Sequence, residues 1–190
     1  MSGKLIIISA PSGAGKTTIV KRLLGANLGL EFSVSACSRP KRTNEIDGKD
    51  YYFITTKAFK EKISHDEFLE WQEVYPNQFY GTLKSELSRI WMKGRHVIFD
   101  VDVLGGLNIK NAYPEISLAL FISPPSMQIL EKRLRERHTE SEESLKKRIA
   151  KAGMEMTYAP RFDEIILNDN LETAVRLAIE VTMKFLMQQS

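Results

Sequence analysis

Lys16 and Thr17 follow directly on Gly13 and Gly15, an order of residue types suited to holding a polyphosphate. Glycines let successive backbone N–H groups turn inward around an anion, and a helix starting there adds partial positive charge. Lys16 adds a full charge, and the Thr17 hydroxyl is placed to hold Mg²⁺. The spacing follows G-x-x-x-x-G-K-[ST] with Ala10 at the first glycine position, and alanine is small enough for a close turn at negative φ. The plainer alternative is a glycine-bearing loop between an ordinary strand and helix. The flanks favour the phosphate reading and predict a nucleoside triphosphate site.

Those flanks are the elements that must position the loop. Leu5 to Ile8 is an apolar, β-branched run that predicts a buried strand, and Ile19, Val20, Leu23 and Leu24 carry helical spacing. The helix should end between Gly25 and Gly29. A second extended run, Leu30 to Ser35, leads into a basic stretch with Ser38, Arg39, Lys41 and Arg42. Asp47-Gly48 predicts a turn before the aromatic strand Tyr51 to Phe53, and Phe59 with Ile63 predicts a short helix. Phe68 to Trp71 reads as a strand and Asn77 to Thr82 as a loop or hairpin, so 33–82 is a β-rich insertion.

Helical spacing resumes at Leu83, Leu87 and Ile90 and stops at Gly94. Val97 to Asp102 then reads as an apolar strand with Asp100 and Asp102 near its C-terminal end, where an acid can stand beside a phosphate-bound Mg²⁺. Gly105-Gly106 predicts a close backbone approach or a turn. Ile116 to Ile122 is a buried strand closed by Pro124-Pro125, and Ser126 predicts the cap of a helix through Leu130 and Leu134. Leu145, Ile149, Ala152 and Met156 keep helical spacing inside a charged stretch that otherwise reads as a solvated face. Ile165 to Leu167 is a last strand, followed by a helix with Leu171, Val175, Ala178 and Thr182 on one stripe. Strands alternating with helices predict an α/β fold: a parallel sheet covered on both faces, with ligands at the strand C-termini.

The chain has 190 residues, 43% hydrophobic and 27% charged, with formal net charge +3. That length predicts one domain with inserted parts. The mild positive charge suits small anionic ligands, and no basic stretch interleaved with aromatics suggests a nucleic-acid platform. No apolar run reaches membrane-spanning length, the N-terminal one is too short for a signal peptide, and the single cysteine fits a reducing cytoplasm. Cys37 reads as a buried filler, and His65, His96 and His138 lack metal-ligand spacing.

Six ordered segments together resemble the guanylate kinases, P-loop nucleoside monophosphate kinases: the P-loop, Ser33 through Phe53, Phe68-Leu69-Glu70-Trp71, Tyr80-Gly81-Thr82, Asp100-Val101-Asp102, and Arg133 to Arg148. The resemblance runs nearly end to end. It implies Mg²⁺-dependent transfer of the ATP γ-phosphoryl group to GMP or dGMP. It also implies a P-loop core (1–32, 83–133 and 151–190), a GMP-binding subdomain (33–82) and a mobile helical lid (134–150). Ser12, Gly13, Ala14, Gly15, Lys16, Thr17 and Thr18 would serve ATP, with Asn168 and Asp169 on its adenine side. Thr17 and Asp100 would meet the metal. Arg39, Arg42, Tyr51 and Tyr80 would hold the GMP phosphate, and Ser35, Glu70, Thr82 and Asp102 would surround guanine. Lys16, Arg39, Arg133, Arg137 and Arg148 would be the catalytic set. The family's usual Thr-Thr-Arg-x-Pro-Arg reads here Cys37-Ser38-Arg39-Pro40-Lys41-Arg42, with both arginines in place. Glu136 and His138 stand where the family commonly has small residues. The implied partners are the two nucleotides, with no nucleic acid and no membrane, and a homo-oligomer is left open.

The chemistry of guanine agrees. Its N1–H and N2–H₂ are donors that a carboxylate can take in parallel, and hydroxyls from Ser35 and Thr82 can donate to O6. Adenine would present a lone pair to Glu70 instead. The acceptor phosphate is already ionised at neutral pH, so alignment and charge neutralisation suffice, and arginines do both. The principal alternative is a guanylate-kinase-like module that binds peptides without catalysis; such modules typically lack a working P-loop, whereas Lys16 and Thr17 are kept here. A kinase for another nucleoside monophosphate is disfavoured by Glu70 with Asp102, and a P-loop GTPase by the lack of an Asn-Lys-x-Asp.

Overall fold

The computed structural model describes residues 3–136 and 142–188. The chain divides into two compact units, Glu31–Val97 with Gly3, and Lys4–Leu30 with Ile98 onward. The insertion expected at 33–82 lies inside the first of these, which also takes in the helix after it.

The larger unit is built on strands that read as unbroken apolar runs because both sheet faces are covered. β1 (Leu5–Ser9) and β8 (Ser117–Ser123) are buried at every position. They pair in parallel with Leu5 opposite Ser117, and β8 pairs in parallel with β9 (Glu164–Leu167), Leu120 opposite Glu164. With β2 (Leu30–Phe32) and β7 (His96–Asp100) the sheet order is β2-β7-β1-β8-β9, the parallel α/β arrangement expected. The helices of this unit are α1 (Lys16–Leu24), α4 (Val103–Ala112), α5 (Met127–Arg135), α6 (Glu142–Met156) and α7 (Leu171–Met187). The Ser126 hydroxyl caps α5 by accepting from the Ile129 N–H at 3.2 Å, and the Asn170 side chain caps α7 at Thr173. On α7 the buried stripe is Ala174, Val175, Ala178 and Thr182, while Leu171 is exposed.

The Gly105-Gly106 pair lies inside helix α4, without a turn. A Cβ at Gly106 would lie 2.5 Å from Ser9 Oγ and 3.1 Å from Ile7 Cγ2. The glycine therefore serves close packing of α4 on β1.

The smaller unit carries β3 (Ala36–Cys37), β4 (Tyr52–Phe53), α2 (Thr56–Ser64), β5 (Phe68–Tyr75), β6 (Gln78–Leu83) and α3 (Lys84–Trp91). Its sheet runs β4-β3-β6-β5 and is mixed: β3 pairs in parallel with β4 and antiparallel with β6. The 77–82 stretch resolves as the second strand of the β5–β6 hairpin. Ala36, Phe59, Phe68 and Phe79 form the core, with the Phe59 and Phe68 rings stacked at 4.2 Å. Cys37 is fully buried, as its reading as a filler anticipated.

Candidate active site

In the larger unit the chain leaves β1 and turns through residues 10–15 into α1. Gly13 and Gly15 have φ of 94° and 93°, values that L side chains rarely adopt, which explains the glycines. Gly15 is also the residue preceding the first turn of α1, and no side chain caps that turn. The free N–H groups of a helix start are left for an anion. Behind the loop, a Cβ at Gly13 would meet Leu134 at 3.0 Å.

Lys16 Nζ is held 2.5 Å from Asp100 Oδ1 and donates to the Val101 carbonyl at 2.8 Å. The ammonium is thus already drawn to the C-terminal end of β7, with about a fifth of its side chain exposed. Asp102 acts on the backbone instead. Its Oδ1 accepts from the Gly105 N–H at 2.8 Å and caps α4, while Ser9 Oγ donates to its carbonyl. The Asn168 amide donates to the Ala14 carbonyl at 2.7 Å, and Arg133 Nη2 donates to the Asn168 carbonyl at 3.0 Å. Buried Asn168 therefore braces the loop across the fold, and Asp169 beside it is exposed. Arg148 Nη1 lies 3.4 Å from Ser12 Oγ. Thr17 and Thr18 stand at the start of α1, and both are exposed. A cavity of about 310 Å³ over the loop is lined by the loop itself, Asp102, Lys151 and Glu155. Arg137 and His138 lie outside the described residues.

The smaller unit assembles a second polar cluster. Arg39 donates through Nε to the Tyr80 hydroxyl at 3.0 Å, and its guanidinium lies 5.2 Å from the centre of the Tyr51 ring. Tyr51 and Tyr80 meet edge to face at 5.9 Å. Glu45 closes the cluster, accepting from Arg39 Nη1 and Nη2 and from the Arg42 N–H. That two-pronged bond raises the Arg39 pKa and holds the Glu45 carboxyl down at about 2. The Arg42 side chain is exposed, and Ser35 gives its carbonyl to the Tyr52 N–H at 2.9 Å.

Glu70 and Thr82 face each other across the β5–β6 ladder. Thr82 Oγ1 donates to Glu70 Oε1 at 2.7 Å, so the threonine hydrogen orients the carboxylate. Thr82 is fully buried and Glu70 half-buried. The structure thus brings together Arg39, Tyr51 and Tyr80, separately Glu70 and Thr82, and in the other unit Lys16, Asp100, Asn168 and Arg133.

Glu45, Lys151 and Glu155 join these sites without a signal in the sequence that marks them. Glu45 lies six residues after Arg39, a spacing that charge counting passes over. Lys151 and Glu155 follow Arg148 at i+3 and i+7, one helical face that the reading as a solvated face absorbed. Among the described residues no group of three or more His, Cys, Asp or Glu side chains could hold a metal ion, and no helix is long and apolar enough to cross a membrane.

A parallel α/β sheet whose first strand turns through a glycine loop onto Lys16 defines a P-loop NTPase fold. The chain belongs to the guanylate kinase family, whose model matches residues 2–184. It is 50% identical to the guanylate kinase of Bacteroides thetaiotaomicron over 98% of this chain and 91% of that one. It is 47% identical to that of Porphyromonas gingivalis, over 96% of this chain and 98% of that one. The crystal structure of guanylate kinase from Anaplasma phagocytophilum superposes with a TM-score of 0.78 at 26% identity, covering 99% of this chain and 88% of that one.

Proposed function

We propose that this protein is a guanylate kinase that transfers the γ-phosphoryl group of ATP to GMP or dGMP, releasing ADP and the nucleoside diphosphate. The observation that carries the reading is the P-loop, with Lys16 drawn to its mouth by Asp100 and Val101. A peptide-binding module has no use for that arrangement.

The P-loop N–H groups and Lys16 bind the ATP phosphates. An incoming phosphate offers the Lys16 ammonium a stronger acceptor than the Val101 carbonyl, and charge complementarity replaces part of the ion pair with Asp100. The donors fit a magnesium ion carried on the nucleotide: one hydroxyl, Thr17, and one carboxylate, Asp100, with no protein cage among the described residues, the usual composition for Mg²⁺ beside phosphates. When bound, the ion neutralises charge on the β- and γ-phosphates. Arg39, Arg42, Tyr51 and Tyr80 hold the GMP phosphate, and Glu70, oriented by Thr82, reads guanine. Arg133 and Arg148 add charge at the transferring group. The segment 134–150 acts as a lid that excludes water from the reaction. Both substrates are anions already in their reactive protonation state, so these residues align and neutralise them with no general base.

A coupled assay of ADP release with GMP, AMP, CMP and UMP tests the reading. GMP should be preferred by at least about a hundredfold, because a site built to hydrogen-bond a substrate group is left unpaired by an analogue that lacks it. Turnover that is equal for all four would overturn it.

A further inference from the structure

Helix α6 sends two side chains into the P-loop cavity that the mechanism above does not use. The cavity walls include Lys151 and Glu155 alongside Asp102 and the loop. Arg148, Lys151 and Glu155 stand at i, i+3 and i+7 and therefore share one face of the helix. Arg148 Nη1, 3.4 Å from Ser12 Oγ, shows that this face is turned to the loop, while Leu145 and Ala152 bury the neighbouring one.

Glu155 is the unexpected member. A carboxylate lining a cavity built for phosphates calls for a cationic partner, and its side chain is only 12% exposed. Burial pushes its carboxyl up, Lys151 pulls it back, and Asp102 pushes it further. Its nearest cation is Lys151, whose Nζ lies 3.7 Å from Glu155 Oε1 and whose side chain is 58% exposed. A pair so long and so open contributes little to stability. It does confine a flexible ammonium to the mouth of the cavity, where a lysine's four-carbon stem can swing onto a phosphate.

We infer that Lys151 is a further phosphate-contacting side chain for the nucleotide on the P-loop, and that Glu155 is the positioning residue that keeps its ammonium over the cavity. The inference rests on the triphosphate reading of that loop. A bound polyphosphate, denser in charge than one carboxylate, takes the ammonium, and Glu155 returns it when the nucleotide leaves. Lys16 grips the phosphates from the sheet side and Lys151 from the helix side.

The test is equilibrium binding of ATP, ADP and AMP to the full chain in magnesium buffer without GMP, read by displacement of a fluorescent ATP analogue, with folding checked by thermal melting. Lys151→Met should weaken ATP and ADP binding about fivefold, the value of a partly exposed charge-assisted contact, and leave AMP unchanged. Raising the salt should shrink that difference. Lys151→Arg should keep near-parental affinity. Glu155→Gln should weaken ATP about twofold in the parent and have no effect beside Lys151→Met, since a residue acting through another is non-additive with it. If Lys151→Met binds ATP as the parent does while Lys16→Ala does not, the inference is overturned and the loop reading stands. If Lys151→Met weakens AMP as much as ATP, Lys151 is structural and the inference fails. A Glu155→Gln effect that persists without Lys151 overturns the positioning role. If the parent itself binds no ATP, the loop reading fails, and this inference with it.

Discussion

Glu45 grips Arg39 by both prongs of its guanidinium, Oε2 accepting from Nη1 at 2.7 Å and Oε1 from Nη2 at 2.5 Å. The same carboxylate accepts from the Arg42 N–H at 2.8 Å, and the Tyr80 hydroxyl accepts from Arg39 Nε. These bonds fix the arginine that the proposed phosphate clamp depends on most. Bidentate geometry of this kind sets direction as well as charge.

Glu45→Gln should therefore raise the KM for GMP by about threefold to tenfold with a smaller change in kcat, the pattern of lost ground-state positioning. The pH dependence follows from the same bond. Arg39 lowers the Glu45 carboxyl from 4.5 to about 2, so its contribution to stability is present above the ordinary carboxylate range. It is lost as pH falls from about 4.5 toward 2. Melting curves of the parent and Glu45→Gln should differ at neutral pH and converge across that window. A constant difference down to the lowest pH would refute the bond's role.

Lys16 supplies a second prediction. Lys16→Ala removes the charge held between Asp100 and Val101 and should cut kcat by about a hundredfold or more, as losing one transition-state charge contact does. The melting temperature should change little, because the pair is partly exposed and Asp100 can hydrate. A folded variant with near-parental turnover would exclude Lys16 from the chemistry.

On the proposed reading, base choice rests on Glu70. Glu70→Gln keeps the shape but loses the negative acceptor that Thr82 orients at 2.7 Å. kcat/KM for GMP should fall about tenfold or more, and the small AMP activity should change much less, since leaving a donor unpaired costs about 1–3 kcal/mol. The measurement is the GMP-to-AMP ratio of kcat/KM at saturating ATP. An equal fall for both bases would make Glu70 structural.

Gly15 links the loop to its brace. Its φ is 93°, and an added Cβ would sit 2.3 Å from Asn168 Nδ2. Gly15→Ala should therefore both strain the backbone and push Asn168 from the Ala14 carbonyl, costing about 1–3 kcal/mol. For a chain of this size that is a fall in melting temperature of several degrees, about 2–4 °C per kcal/mol. ATP affinity should drop with it. Asn168→Ala should reproduce part of the affinity loss without the backbone strain. Unchanged ATP binding in both variants would show that the brace does not shape the site.

Residue type and spacing settle what depends on neighbours along the chain. The buried strand Leu5–Ser9, the helix that starts at Lys16 and the glycine loop between them follow from residue type and spacing, because backbone sterics and hydrophobic periodicity act over a few residues. The same holds for the Ser126 cap. The alternating pattern of strands and helices was enough for the parallel sheet. Gly105-Gly106 was legible only as a close approach or a turn, since glycine is weakly placed by propensity and α4 is held by its packing on Ser9 and Ile7.

Contacts between residues distant in sequence depend on packing and register. Asn168 reaches the Ala14 carbonyl across 154 positions, and nothing near either residue announces the bond. The register of the β5–β6 hairpin set Thr82 opposite Glu70 and turned its hydroxyl to the carboxylate, where a one-residue slip would have sent the two to opposite faces. The packing of α6 on α5, through Leu130, Leu134, Leu145 and Ala152, chose which face of a charged helix meets the P-loop. Periodicity marks an apolar stripe, but it does not say which charged residues beside that stripe face solvent and which face a cavity. Only the packed partner does, and here it turned Lys151 and Glu155 toward the loop.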